Sequence, residues 1–119
     1  MAYGSYSEVY YANNSRPNKY YHNKILVKIG ETTNTRRRSA QLTDVSVATW
    51  CSLETTACGF DFTARLFVES YLRSKVRKLP GVEVSSIDYF WLPDKQTDNY
   101  IIQHFTSWVQ EAIDIWEKM

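Results

Sequence analysis

From about Asp98 onward, Ile101, Phe105, Trp108, Ala112 and Trp116 recur at helical spacing. A helix with one apolar stripe must bury it against another layer, and this requirement constrains the fold more than any other feature. Candidate strands supply that layer. Residues 8–12 (EVYYA) are rich in Tyr and Val, and residues 24–29 (KILVKI) return after a turn-forming stretch of Asn13, Asn14, Ser15, Pro17 and Asn18, with Gly30 ending the second strand. Residues 45–54 read as a third strand, and residues 82–92 include a fourth, partly buried one. A short helix capped by Thr33 or Asn34 is expected through about Leu42. A longer one opens at Asp61 or Thr63, runs to about Lys78 and is closed by Pro80-Gly81. The order is ββαβαβα, an α+β domain with a small mixed or antiparallel sheet and helices packed on it. With 119 residues, no internal repeat and no Pro/Gly-rich linker, residues 1–119 are expected to fold as one unit.

Charge and cysteine content narrow the function classes. A net charge of +1 excludes a globally basic nucleic-acid binder, so such a role needs a local patch. Nine Tyr and four Trp suit either a dense core or a surface on which bases or sugars stack. No window approaches the ~20 apolar residues of a membrane helix, and MAYGSYSEVYY lacks the basic start and apolar run of a secretory signal. Cys51 and Cys58 form no CxxC, which argues against structural zinc and for buried free thiols in a reducing cytoplasm. His22 and His104 lack metal-ligand spacing and are expected to be surface or hydrogen-bonded histidines. No dinucleotide fingerprint, P-loop or nucleophile motif is present, so no organic cofactor is expected.

Two features carry chemistry. In KIGETTNTRRRSAQL, residues 28–42, three arginines follow a strand, a glycine and a Thr/Asn-rich turn. Cations at a helix N-terminus oppose its partial positive charge, so the cluster either meets acids elsewhere on a solvated face or binds an anion such as phosphate. The second feature is Glu69. On a helical wheel Phe62, Leu66, Leu72, Val76 and Leu79 form an apolar stripe with Glu69 in its middle and Arg73 one turn on. A buried carboxylate needs a partner. Glu69 either pairs with Arg73, worth ~0.5 kcal/mol if exposed, or faces the sheet as a metal-binding carboxylate.

In order, these elements resemble the GIY-YIG nuclease superfamily, particularly its short phage and bacterial branch with a KIG second motif. Val9-Tyr10-Tyr11 matches the first motif, with Tyr6 as the alternative tyrosine, and Lys28-Ile29-Gly30 matches the second. Arg38 lies eight residues beyond that glycine, where the family has its arginine. Glu69, ending ARLFVE, matches the family's glutamate, and Asp88-Tyr89-Phe90-Trp91-Leu92 resembles the aromatic strand that follows. Glu8 replaces the first motif's glycine, and Arg73 stands where this branch often carries a histidine.

The resemblance implies an endonuclease that hydrolyses DNA phosphodiester bonds at a single divalent ion, Mg²⁺ or Mn²⁺. Glu69 would hold the ion, Tyr10 with Lys28 would position or deprotonate the attacking water, and Arg38 would neutralise charge growing on the phosphate. Arg36, Arg37, Arg73, Thr32 and Asn34 would contact the DNA. Because a lone catalytic module reads little sequence, specificity would need a homodimer, a partner protein or the tyrosine-rich hairpin loop. An inactive module of the same family, binding nucleic acid or a protein, is the alternative.

Overall fold

The run Val9-Tyr10-Tyr11-Ala12 is apolar at every position, and its placement explains why. In the computed structural model, which describes residues 6–14, 16–32, 46–54 and 62–119, strand β1 (Tyr6–Asn13) lies inside a five-stranded sheet. It pairs with β2 (Ile25–Thr32) on one side and β3 (Ser46–Glu54) on the other. A strand covered on both faces has no solvent side to make polar, and all four residues are buried. The sheet order is β3-β1-β2-β5-β4, with β4 at Glu83–Val84 and β5 at Tyr89–Leu92. Every neighbouring pair is antiparallel. Two helices complete the described chain, α1 (Phe62–Arg77) and α2 (Lys95–Glu117).

The α+β class and the antiparallel sheet follow the sequence expectation, while four details differ. Strand β2 does not end at Gly30 but continues to Thr32, because Gly30 is the ladder partner of Tyr10 and takes its ring. The 82–92 segment is a short hairpin of two strands, not one, closed by Ser85 and Ser86 amides donating to the Tyr89 carbonyl at 2.9 and 3.2 Å. Helix α1 is already formed at Phe62, so Thr63 does not open it, and Asp61 lies outside the described residues. Helix α2 begins at Lys95 rather than near Asp98, because Asp94 caps it by accepting from the Thr97 amide at 2.8 Å. Those Thr97 hydrogen bonds, backbone first and side chain second, also hold the Asp94 carboxyl below its ordinary range. The expected helix near 33–42 lies outside the described residues.

The main core is built on one face of the sheet. Val9, Tyr11, Ile25, Val27, Ile29, Phe90 and Leu92 meet Val68, Leu72 and Val76 of α1 and Ile101, Phe105, Trp108, Val109 and Ala112 of α2. The last helix thus buries the expected stripe, except that Trp116 is half-buried against Phe67 at 5.7 Å. In α1 the buried face centres on residues 68, 72 and 76, which leaves Leu66 on the far side and 55% exposed, outside the stripe expected of it. The opposite sheet face carries a smaller cluster of Tyr10 and Ala12 with Leu26.

One polar device ties α2 to the sheet. Asp98 is fully buried and accepts from Tyr11 Oη at 2.6 Å, from Asn13 Nδ2 at 2.9 and 3.0 Å, and from Lys95 Nζ at 2.9 Å. Burial first, then the bond to Asp98 and its charge, push the Tyr11 phenol far up, so it stays protonated as the donor. Among the described residues no helix is long and apolar enough to cross a membrane.

Candidate functional site

Strand β5 is shorter than β2, and the mismatch makes a notch. β5 pairs with β2 from Ile25 to Lys28, and the Ile29 amide makes a last bond to the Asp88 carbonyl at 3.0 Å. Beyond it, Gly30 and Glu31 have β1 on one side and no β5 residue on the other. A polar cleft of about 190 Å³ opens there, lined by Tyr10, Lys28, Gly30, Glu31, Glu69, Arg73 and Asp88. Strand alternation places Tyr10 and Lys28 on the face away from the helices, whereas Glu69 and Arg73 arrive from α1. They can meet because the sheet stops at the notch.

Gly30 has a definite role in this meeting. A Cβ at that position would lie 2.5 Å from Tyr10 Oη and 2.7 Å from its Cζ, so only glycine lets the ring cross β2 and put its hydroxyl at the cleft. Lys28 Nζ sits 5.8 Å from the centre of that ring, 5.5 Å from that of Tyr89 and 3.8 Å from the Asp88 carboxylate.

Glu69 is only 6% exposed, and the Arg73 guanidinium donates to its Oε1. Arg65 pairs with Glu31 at 3.0 Å. The three acids of the cleft therefore each have a cationic partner, and the site is close to electroneutral. Burial still dominates Glu69 and pushes its carboxyl up; Arg73 and Arg65 oppose the shift, while Glu31 and Asp88 add to it. Arg73 Nε is buried without a hydrogen-bond partner among the described residues.

The donor set suits a hard cation in one particular manner. Among the described residues no group of three or more His, Cys, Asp and Glu forms a cage. Mg²⁺ commonly needs none, because it keeps several waters and binds through one or two carboxylates plus a substrate phosphate. Glu69, with Glu31 and Asp88 on the same cleft, fits that mode once a cation competes with Arg73 for the Glu69 carboxylate.

Of the residues singled out in the sequence, Tyr10, Lys28, Glu69 and Arg73 come together although they span 64 positions of the chain. Tyr10 is the tyrosine at the cleft, whereas Tyr6 opens β1 and its side chain lies outside the described residues, as does that of Thr32. Asn34, Arg36, Arg37 and Arg38 lie outside the described residues too, as do Cys58 and the Cys51 side chain. His104 Nδ1 is 2.8 Å from the Tyr100 carbonyl oxygen and His22 is exposed, as their sequence positions suggest. Sequence reading missed Glu31, Arg65 and Asp88. The i, i+4 series Arg65, Glu69, Arg73 on one helix was the available signal for Arg65. Comparison of this chain with family models, with curated proteins and with solved structures returns no match.

Proposed function

We propose that the chain is a GIY-YIG-like, metal-dependent DNA endonuclease whose phosphodiester hydrolysis takes place at the notch between β2 and β5. The observation that supports it most is the convergence of Tyr10, Lys28 and Gly30 from the first hairpin with a buried Glu69 from α1 on one polar cleft. Glu69 would hold Mg²⁺ or Mn²⁺, with Glu31 and Asp88 able to accept from its waters. When bound, the ion supplies Lewis-acid polarisation of the scissile phosphate and charge stabilisation at the leaving oxygen. Tyr10, held over Gly30 and beside Lys28, orients a water for attack on phosphorus. The water oxygen bonds to phosphorus and the bond from phosphorus to the departing sugar oxygen breaks. The water proton passes to the Tyr10 hydroxyl as that hydroxyl releases its own proton to solvent, and the departing oxygen takes a proton from a solvent water. Arg73, whose Nε has no partner among the described residues, turns from Glu69 to the phosphate, and Arg38 is assigned to the same charge by resemblance.

The test is plasmid nicking by purified protein with Mg²⁺ or Mn²⁺, beside Glu69→Ala and an EDTA control. Nicking is expected in the wild type and a loss of at least about 100-fold in the variant. The ion pair of Arg73 with Glu69 favours a second reading, a catalytically inactive module that binds nucleic acid, since that pair already neutralises the carboxylate. DNA binding without nicking in any metal, unaffected by loss of Glu69, would decide for that reading.

The raised Glu69 carboxyl gives the metal-dependent reading a pH signature. Its folded-state pKa lies above the ordinary 4.5, so the stability it contributes is fully present below about 4.5 and lost as pH rises through the raised value. Cation binding needs the ionised form and therefore strengthens over the same interval. Scanning fluorimetry at pH 5 and pH 8 is expected to show a rise in Tm on adding Mn²⁺ that is larger at pH 8 and absent in Glu69→Gln. An equal rise in the variant would remove Glu69 from the metal site.

A further inference from the structure

The longest stretch of the sequence free of acidic residues coincides with the first hairpin. Residues 9–30 contain Arg16, Lys19, Lys24 and Lys28 and neither Asp nor Glu, although the chain has 13 acids. The loop joining β1 to β2 is held in one shape by Asn18. Its carbonyl accepts from the Tyr21 and Asn23 amides at 3.0 and 2.9 Å, its side-chain oxygen from the Tyr20 amide at 2.9 Å, and its own amide donates to the Lys24 carbonyl at 2.8 Å. His22 and Asn23 take left-handed φ values of 54° and 57°, a conformation that non-glycine residues keep only where their surroundings impose it. The result is a built loop that holds the Tyr20 ring 91% exposed at its tip. Arg16 and Lys19 are exposed beside it, with no ion-pair partner among the described residues.

Rings and cations continue from that tip back to the cleft. Tyr21 packs on Trp91 at 4.7 Å and Lys24 lies 5.1 Å over the Tyr21 ring. Tyr89, two residues before Trp91 on the same face of β5, lies under Lys28, which also reaches Tyr10. On this half of the face Leu26, Tyr89 and Trp91 are only half-buried, in contrast to Tyr10 and Ala12. Aromatic platforms alternating with ammonium groups are what a single nucleic-acid strand requires, because unstacked bases offer ring faces and the backbone offers phosphates. A duplex hides those ring faces. Lys24 and Lys28 are paired with Glu83 and Asp88, so net attraction comes from Arg16 and Lys19 at the tip.

We infer that the β2–β5 face and the Tyr20 loop form a track for one phosphodiester strand leading away from the cleft. The inference rests on the phosphodiesterase reading only for what lies at the track's inner end. From Lys28 to Lys24 the strand rise of ~3.3 Å per residue gives ~13 Å, about four nucleotides at ~3.4 Å each before the Tyr20 loop is reached.

Fluorescence anisotropy in EDTA tests the track apart from cleavage. The probes are labelled DNA strands of 4 and 14 nucleotides, a 14-nucleotide RNA and a 14-base-pair duplex. The wild type is expected to bind a 14-nucleotide strand at least tenfold more tightly than the 4-nucleotide strand, and more tightly than the duplex. Tyr20→Ala is expected to lose about fivefold or more of the affinity for the long strand. An Arg16→Glu/Lys19→Glu double variant is expected to flatten the slope of log affinity against log salt by about 1.4, the value for two phosphate contacts on a single strand. Tight binding of either the DNA or the RNA 14-mer carries the inference. Length-independent binding, preference for duplex, or variants that bind the long strand like wild type would overturn it. Tyr20-dependent binding by a protein that never nicks would sink the phosphodiesterase reading and leave the track standing. Nicking with length-independent binding would do the reverse.

Discussion

Gly30→Ala is expected to destabilise the protein and, on the proposed endonuclease reading, to remove most of the nicking, a large effect for one added methyl group. The new Cβ would sit 2.5, 2.7 and 2.9 Å from Oη, Cζ and Cε2 of Tyr10. Tyr10 is 1% exposed and packed in its own cluster with Ala12 and Leu26, so it cannot swing into free space. Overpacking of this kind costs about 1–3 kcal/mol. The displaced hydroxyl is also the group assigned to orient the attacking water, and misplacement by about 1 Å can cost about 100-fold in rate. Chemical denaturation and the nicking assay measure the two effects separately. A double-mutant cycle with Tyr10→Leu is the control, since the stability loss from Gly30→Ala should shrink once the ring is gone. If Gly30→Ala is as stable and as active as wild type, the Tyr10 ring is not seated on β2 as described.

Asp98→Ala is expected to have the largest effect on stability of any single substitution considered, roughly 3–5 kcal/mol, seen as a fall in Tm of roughly 10–20 °C. The mutation takes one carboxylate from three donors at once, and two of those, the Tyr11 hydroxyl and the Asn13 amide, belong to buried residues. A buried donor left without an acceptor bears its whole desolvation penalty, which is why the loss exceeds the net worth of the bonds removed. Tyr11→Phe, which deletes one donor and keeps the packing against Phe105 at 6.1 Å, should be milder by a factor of two or more. Urea denaturation of the pair checks both. A loss below about 1 kcal/mol for Asp98→Ala would show that α2 is held to the sheet by apolar packing alone.

The two residues differ in how visible they are before folding. Gly30 is conspicuous in the sequence because it follows Lys-Ile at the end of an apolar run, and glycine there already suggests a special backbone position. The natural inference, a strand terminus, is wrong for a physical reason: the glycine is needed for a side chain arriving from the neighbouring strand, and nothing local to residues 24–32 reports that. Asp98 gives less warning. It sits near the start of a helical pattern, where an acid normally complements the helix dipole on the surface. Its burial depends on Tyr11 and Asn13, 87 and 85 positions away.

The sequence by itself determined the α+β class, the apolar stripe of α2 and the anomalous setting of Glu69, because each of these is a periodicity or a misfit within one element. Local pattern fixes which face of an element is apolar. It is silent on what meets that face, and there the tertiary structure decided. Only register places Tyr10 opposite Gly30, and only the unequal lengths of β2 and β5 open the notch through which residues from two sides of the sheet meet. Likewise Glu31, Arg65 and Asp88 are ordinary surface charges in one dimension. They become parts of a neutralised cleft because folding brings three separate segments within ion-pairing distance, where burial lets each charge act strongly on the next.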